Sequence, residues 1–400
     1  MPQWKYNLYT CVVIQVLVTA TFHVVTPFLP FFIFQLGITG SQDVQRWSGI
    51  LVAVNSFFTG LLSPFWGSLA DRYGRKPMLI RSAASIALFT FLTSLSANVY
   101  HVLVFRILQG AFSGFAPAAL SLLATTVPEK HLSYSLGLMQ AGQVLGYLLG
   151  PLLGGILSDL FPYRRVFQLG SLMAVTATLL AVFVIQEPSR PEKQKEVREN
   201  GFFLSLSWPL TIWVMFTVIL LSQFATRGVE PVLPLYVQRM LGPSPVLNTY
   251  AGVAVAVQGI TSFIGAAVMG YLAPRWGYKR LLVVNLCSSA LLYIPQALIT
   301  NIWSLIFLRF VQGFFLGGLL PCANSLIALF TPAEKRGSVY GLTSSAFFFG
   351  NSLGPLTAGF CSAHFGLESV FYVGTGLLLF NLLWVLVEVR DPRGRSRRKG

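Results

Sequence analysis

The chain is predicted to be an all-α integral membrane protein. Twelve transmembrane helices are expected in two six-helix bundles, related by a pseudo-two-fold axis along the membrane normal. Three observations carry this. The composition is 54% hydrophobic and only 10% charged, whereas a soluble protein carries about 25% charged residues. So large an apolar surplus has to face lipid. The apolar residues fall in twelve runs of roughly 20 or more, the length that crosses a bilayer as a helix, and barrel strands would be shorter and alternate in polarity. Finally, the last six runs repeat the first six.

The repeat rests on four anchors at an offset of 203 or 204. Pro27-Phe-Leu-Pro30 returns as Pro231-Val-Leu-Pro234, and Trp47-Ser-Gly49 as Tyr250-Ala-Gly252. Arg106-Ile-Leu-Gln109-Gly110 returns as Arg309-Phe-Val-Gln312-Gly313, and Gly146-Tyr-Leu-Leu-Gly150-Pro151 as Gly350-Asn-Ser-Leu-Gly354-Pro355. An even number of spans per half makes the repeats parallel.

The first half holds spans near 8–34, 46–70, 77–96, 100–125, 133–158 and 164–186. The run at 8–34 is too long for a signal peptide and no small-residue cleavage site follows it, so it is expected to be retained. Residues 1–187 then form an N-terminal bundle and 188–207 a charged connector. The second half holds spans near 209–238, 247–273, 280–299, 302–330, 338–363 and 367–388. Its bundle covers 208–389, followed by a basic tail at 390–400.

The net charge of +15 could suggest nucleic acid, but its placement excludes that partner. With the amino terminus inside, 21 of the 28 Lys and Arg residues lie on cytoplasmic segments. This positive-inside pattern puts both termini in the cytoplasm of a multi-pass cell-membrane protein, with the tail near anionic lipid. Cys11, Cys287, Cys322 and Cys361 all sit in apolar runs without CxxC spacing, which argues against disulfides and metal ligation.

Between the second and third spans stands Gly67-Ser-Leu-Ala-Asp71-Arg72-Tyr-Gly74-Arg75-Lys76-Pro77. An acid closing one helix and bases opening the next form a charged clasp at a membrane surface. The stretch resembles the signature turn of the major facilitator superfamily of secondary transporters. The resemblance implies a cytoplasmic latch, made by Gly67, Asp71, Arg72, Gly74, Arg75 and Lys76, for one state of an alternating-access cycle. In the second half Pro274 replaces the acid, so the latch is expected to be stronger in the first.

The fifth span carries Gly142, Gly146, Gly150 and Gly154 at a spacing of four, then Gly155, with Pro151 inserted. That spacing lines one helix face with small residues and lets another helix approach closely; Pro151 favours a kink. The pattern is also similar to the motif of exporters in the superfamily, proton antiporters in particular. Together with Trp47-Ser-Gly49, Ser63-Pro-Phe-Trp66-Gly67 and the turn, it resembles the twelve-span drug:proton antiporter family.

Charge inside a span is costly and points to function. Five such residues stand out: His23, Arg106, Arg227, Glu230 and Arg309. Glu230 is the clearly intramembrane carboxylate; Asp159 and Glu187 stand at span ends. Glu230 reads either as a proton carrier or as the permanent partner of Arg227, which shares its helix face. His23 titrates in a range that suits coupling, or serves as a hydrogen-bonded structural residue. Arg106 and Arg309 each head Arg-x-x-Gln-Gly, resembling the family's fourth-span motif, where the Arg supports proton transfer; bridging between spans is the alternative. Further cavity candidates are Phe28, Phe31, Asn55, Gln109, Phe112, Phe115, Gln140, Gln143, Gln223 and Gln312.

The sequence offers no P-loop, no HExxH and no acid–base cluster, so an enzyme is not expected. Gly350-Asn-Ser352-Leu-Gly354 matches a nucleophile elbow only in letters, because it lies inside an apolar run. The expected function is export of amphipathic small molecules in exchange for protons. The proton gradient is the energy source, no cofactor is used, and the working unit is a monomer in the lipid bilayer. A proton-coupled transporter of a specific metabolite is the alternative.

Overall fold

The computed structural model describes residues 2–187, 210–331 and 336–389. The connector expected at 188–207 and the tail at 390–400 lie outside the described residues. Fifteen helices are described, and they build twelve spans because three spans are broken. The first span consists of α1 (Gln3–His23) and α2 (Leu29–Gln35), the fourth of α5 (Val99–Phe112) and α6 (Phe115–Thr126), and the seventh of α9 (Leu210–Gly228) and α10 (Leu233–Leu241). The unbroken spans are α3 (Ser41–Tyr73), α4 (Arg75–Ser94), α7 (Glu129–Leu160), α8 (Tyr163–Phe183), α11 (Leu247–Trp276), α12 (Tyr278–Leu298), α13 (Ile302–Phe330), α14 (Arg336–Phe365) and α15 (Ser369–Glu388).

The breaks are a departure from the continuous runs expected in the first, fourth and seventh spans. Pro27 with Pro30, and Pro231 with Pro234, stand at two of them, where proline removes backbone donors. At the third, Gly114 has φ +117°, a conformation that costs glycine little and other residues much. Its repeat, Gly317, sits inside the unbroken α13. The carbonyls at the fourth-span break all receive donors from α3 and α4, Gly110 O in addition to those of Ser113. Gly110 O accepts from Thr59 Oγ1 at 3.3 Å and Ala111 O from Trp66 Nε1 at 2.6 Å. Phe112 O accepts from Ser85 Oγ at 3.0 Å and Ser113 O from Arg81 Nη2 at 3.1 Å.

Among the described residues, ten helical segments are long and apolar enough to cross a membrane taken singly. The other two spans, α1 with α2 and α14, are more polar because residues such as Gln15, Thr19, His23 and Asn351 face the space between the halves.

The two halves pack by the same rule. In the first, α1 lies along α7, α3 along α5 and α4 along α8; in the second, α9 lies along α14, α11 along α13 and α12 along α15. Between the halves the main pairings are α3 with α14 and α7 with α11, again a symmetric pair. These crossings are closest at the end opposite the Gly74 turn. There a Cβ on Gly49 would lie 3.0 Å from the Gly359 Cα, and one on Gly155 would lie 2.9 Å from the Asn248 carbonyl carbon. Small residues therefore seal one end of the interface by backbone contact.

Candidate transport cavity and charged turn

A cavity of about 250 Å³ lies between the halves, on the turn side of this seal, walled by the first, second, fourth, fifth, seventh and eleventh spans. The broken helices position its charges. His23 ends α1 at the first break, and Arg227 stands in the last turn of α9 with Glu230 in the connection that follows. Arg227 Nη1 donates to Glu230 Oε1 at 2.5 Å. The guanidinium also lies 4.7 Å from the centre of the Tyr147 ring, which in turn packs 4.4 Å from the His23 ring. His23, Tyr147, Arg227 and Glu230 thus run as one chain of contacts from the first half to the second.

Arg106 faces the same cavity and is 8% exposed. Its Nη1 donates to Gln109 Oε1 at 3.3 Å, a long bond, and its Nε is buried with no hydrogen-bond partner among the described residues. Gln109 donates onward to Thr90 Oγ1 at 2.9 Å, and Asn55 Nδ2 contacts both Gln109 Oε1 and the Arg106 carbonyl at 3.3 Å. Gln109 therefore holds Arg106 from behind. Asn55, Gln143 and Phe115 are the other expected residues on the cavity wall.

The remaining candidates are placed elsewhere. Arg309 is 1% exposed and spent inside the second half, where it donates to the Ala254 carbonyl at 2.9 Å and to Gln258 Oε1. Gln258 occupies the repeat position of Asn55, and its longer side chain reaches the guanidinium. Gln312 is buried between Gln296 and the Ser289 carbonyl. Phe28 is fully buried, stacked on Tyr163 at 5.2 Å and edge-on to Phe167 at 5.4 Å, and Phe31 packs against the same core. Phe112 lies beside Trp66 and Phe89, Gln140 is exposed, and Gln223 lies against the glycine face at Gly350.

The fifth-span glycines lie on the first span. A Cβ on Gly142 would meet the Val12 carbonyl at 3.1 Å, on Gly146 the Val16 carbonyl at 2.9 Å, and on Gly150 the Ala20 carbonyl at 2.7 Å. Gly154 touches Val24 in the same way, whereas Gly155 faces Asn248 of the other half. α7 runs through Pro151, whose carbonyl approaches Gly252.

At the charged turn Gly74 adopts φ +104° between α3 and α4. The first turn of α4 carries no acid and no side-chain cap of its own. Glu187, beyond the end of α8, supplies one: its two carboxylate oxygens accept from the Arg75 and Lys76 backbone N–H groups at 2.8 and 3.0 Å. A carboxylate there satisfies two free donors and complements the helix dipole. Lys76 Nζ donates to the Val182 carbonyl at 2.8 Å and Arg75 Nη1 to Thr125 Oγ1 at 2.5 Å, while the Arg72 guanidinium lies over the Tyr73 ring. Gly67 is exposed on α3, and the Asp71 side chain lies outside the described residues. The sequence signal for Glu187 was an uncapped helix start rich in bases. Glu187→Ala is expected to cost about 1–2 kcal/mol of stability, read as a lower thermal midpoint in detergent, with Glu187→Gln intermediate.

Comparison with known proteins accords with this geometry. The family model for the Major Facilitator Superfamily matches residues 11–285 and 215–400. The multidrug resistance protein MdtG of Salmonella arizonae is 36% identical over 384 residues, covering 95% of each chain. That of Salmonella typhimurium is 36% identical over 393 residues, covering 98% of this chain and 97% of the relative. Among solved structures, a bacterial homologue of the human lysosomal transporter Spinster, in an inward-facing and occupied conformation, superposes with a TM-score of 0.80 at 17% identity, covering 97% of each chain. A D-xylose–proton symporter gives 0.77 at 16% identity, covering 98% of this chain and 99% of the symporter. With its twelve spans, its paired halves and these matches, the chain belongs to the Major Facilitator Superfamily.

Proposed function

We propose that this protein exports amphipathic drug-like molecules in exchange for protons by alternating access, drawing on the proton gradient without a cofactor. The observation that carries the reading is the Arg227–Glu230 pair, a carboxylate held 2.5 Å from a guanidinium on the wall of a cavity between two pseudo-symmetric halves. Such an acid can exchange its proton for the counter-charge beside it as the surroundings change. The multidrug resistance proteins named above support the substrate class, and the glycine face of α7 supports the direction. The positive-inside pattern supports a cytoplasmic position for both termini and the Gly74 turn. The sealed end is then the outer one, and the cavity lies beneath a closed outer face.

The cavity's charge narrows the substrate. Arg106 and Arg227 face it, against the carboxylate of Glu230. A neutral or acid-bearing amphipath meets this wall more favourably than a cation does, since Arg106 has no carboxylate partner among the described residues and ethidium would face it directly. In liposomes under a pH gradient, a fluorescent amphipathic carboxylate is expected to move with proton counterflow and to be carried faster than ethidium. Faster movement of ethidium would reverse the charge assignment. Movement of neither, with folded protein, would favour a metabolite transporter.

A further inference from the structure

Asp159 ends α7 away from the cavity, yet it makes a fourfold polar contact between the halves. One oxygen accepts from the backbone N–H of Asn248 at 3.1 Å and from Asn248 Nδ2 at 2.9 Å. The other accepts from the backbone N–H of Thr249 at 2.8 Å and from Thr249 Oγ1 at 2.6 Å. Asn248 and Thr249 belong to the first turn of α11, whose free N–H groups and dipole favour an anion. A carboxylate of the first half thus caps a helix of the second.

The fold repeat gives this contact a twin. Arg46 stands 203 positions before Thr249, and His364 stands 205 after Asp159, one position beyond the repeat offset. Arg46 Nη2 lies 3.2 Å from His364 Nε2 across α3 and α14. That twin is a single exposed contact, while the Asp159 contact is part-buried and fourfold. The hydrogen bonds of the seal are denser on the side of α7 and α11.

We propose that Asp159 is the gate residue of the outer face. Its carboxylate holds the outer-closed state, and each passage to the outward-facing state breaks its bonds to Asn248 and Thr249, because α7 and α11 have to part there. A carboxylate can accept from all four donors. An Asn of the same shape offers one acceptor oxygen and turns an amide NH₂ toward the backbone N–H that the second oxygen received, so it weakens the contact in the closed state and loses nothing in the open one. A difference confined to one state is what moves a conformational equilibrium. The proposal rests on alternating access and not on the identity of substrate or proton carrier.

The test is a distance measurement between paired spin labels, in protein whose four native cysteines are replaced. One pair, at Gln42 and Thr300, reports the outer face; the other, at Ser68 and Tyr271, reports the cytoplasmic face. Asp159→Asn is expected to raise the outer-open fraction roughly tenfold, the scale of a lost charged hydrogen bond. The outer distance lengthens and the cytoplasmic distance shortens in the same sample. Adding Asn248→Asp restores one side-chain contact and is expected to return part of the shift. Unchanged distances in folded Asp159→Asn protein would overturn the proposal, as would lengthening at both faces, which marks general loosening. Should Asp159→Asn fail to fold, Thr249→Val removes one donor and keeps the carboxylate. A smaller shift in the same direction supports the gate, and none overturns it.

Discussion

Glu230→Gln is expected to reduce proton-coupled transport to the protein-free background. The carboxylate is 9% exposed, lines the cavity and holds Arg227 at 2.5 Å. Glutamine keeps its shape but cannot take up and release a proton, so a substrate gradient no longer drives proton counterflow. The single variant carries a second effect: removing one member of a buried pair leaves an uncompensated charge and costs about 3–5 kcal/mol. Arg227→Gln with Glu230→Gln separates the two. Without either charge the seventh span is expected to recover most of its stability, because a missing pair costs far less than a broken one. Coupling is expected to stay absent. The readout is simultaneous recording of substrate and lumenal pH in liposomes, beside a thermal midpoint for each variant. Coupling that persists in the double variant would reduce Glu230 to a structural partner of Arg227 and make His23, joined to it through Tyr147, the next group to replace.

What the chain disclosed at sequence level followed from periodicity. Run lengths near a bilayer's thickness, an offset of 203 to 204 between repeats and glycines four apart are local patterns, and each has one geometric meaning. What stayed hidden depends on partners distant in sequence. Glu187 caps a helix 111 positions before it, and Asp159 caps one 89 positions after it; an uncapped helix start shows that a cap is needed, and neither separation shows which residue supplies it. Arg106 and Arg309 show how far a motif reaches. Both head Arg-x-x-Gln-Gly, but Asn55 is too short to occupy the first guanidinium and Gln258 is long enough to occupy the second, so one faces the cavity and the other is consumed in packing. Phe28 shows the effect of a broken helix. Pro27 and Pro30 stand at the break in a span that the apolar run presents as continuous, and the direction of the ring between them is set by Tyr163 and Phe167.

Gly154→Ala and Gly155→Ala, one residue apart on α7, are expected to fail in different ways. A Cβ on Gly154 would collide with the Val24 carbonyl at the end of the first span. Both partners lie within one half and stay together through a rigid-body cycle. The collision is therefore present in every folded state, and overpacking of this kind costs about 1–3 kcal/mol. Its signature is a lower thermal midpoint with little change in the balance of conformations. A Cβ on Gly155 would stand 2.9 Å from the Asn248 carbonyl carbon and 3.0 Å from the Thr249 Cα, both in the other half. That contact exists where the outer face is sealed and vanishes where the halves part. The same order of cost, about 1–3 kcal/mol, then falls on the closed state alone and favours the outward-open state by roughly ten- to a hundredfold. Outer-face accessibility to a membrane-impermeant thiol reagent, at a cysteine introduced in place of Ser56 on the cavity wall, distinguishes the two. Gly155→Ala is expected to raise that labelling while the protein remains folded, and Gly154→Ala to lower stability without raising it. Equal labelling in both variants would mean that the seal between α7 and α11 does not govern access to the cavity from outside.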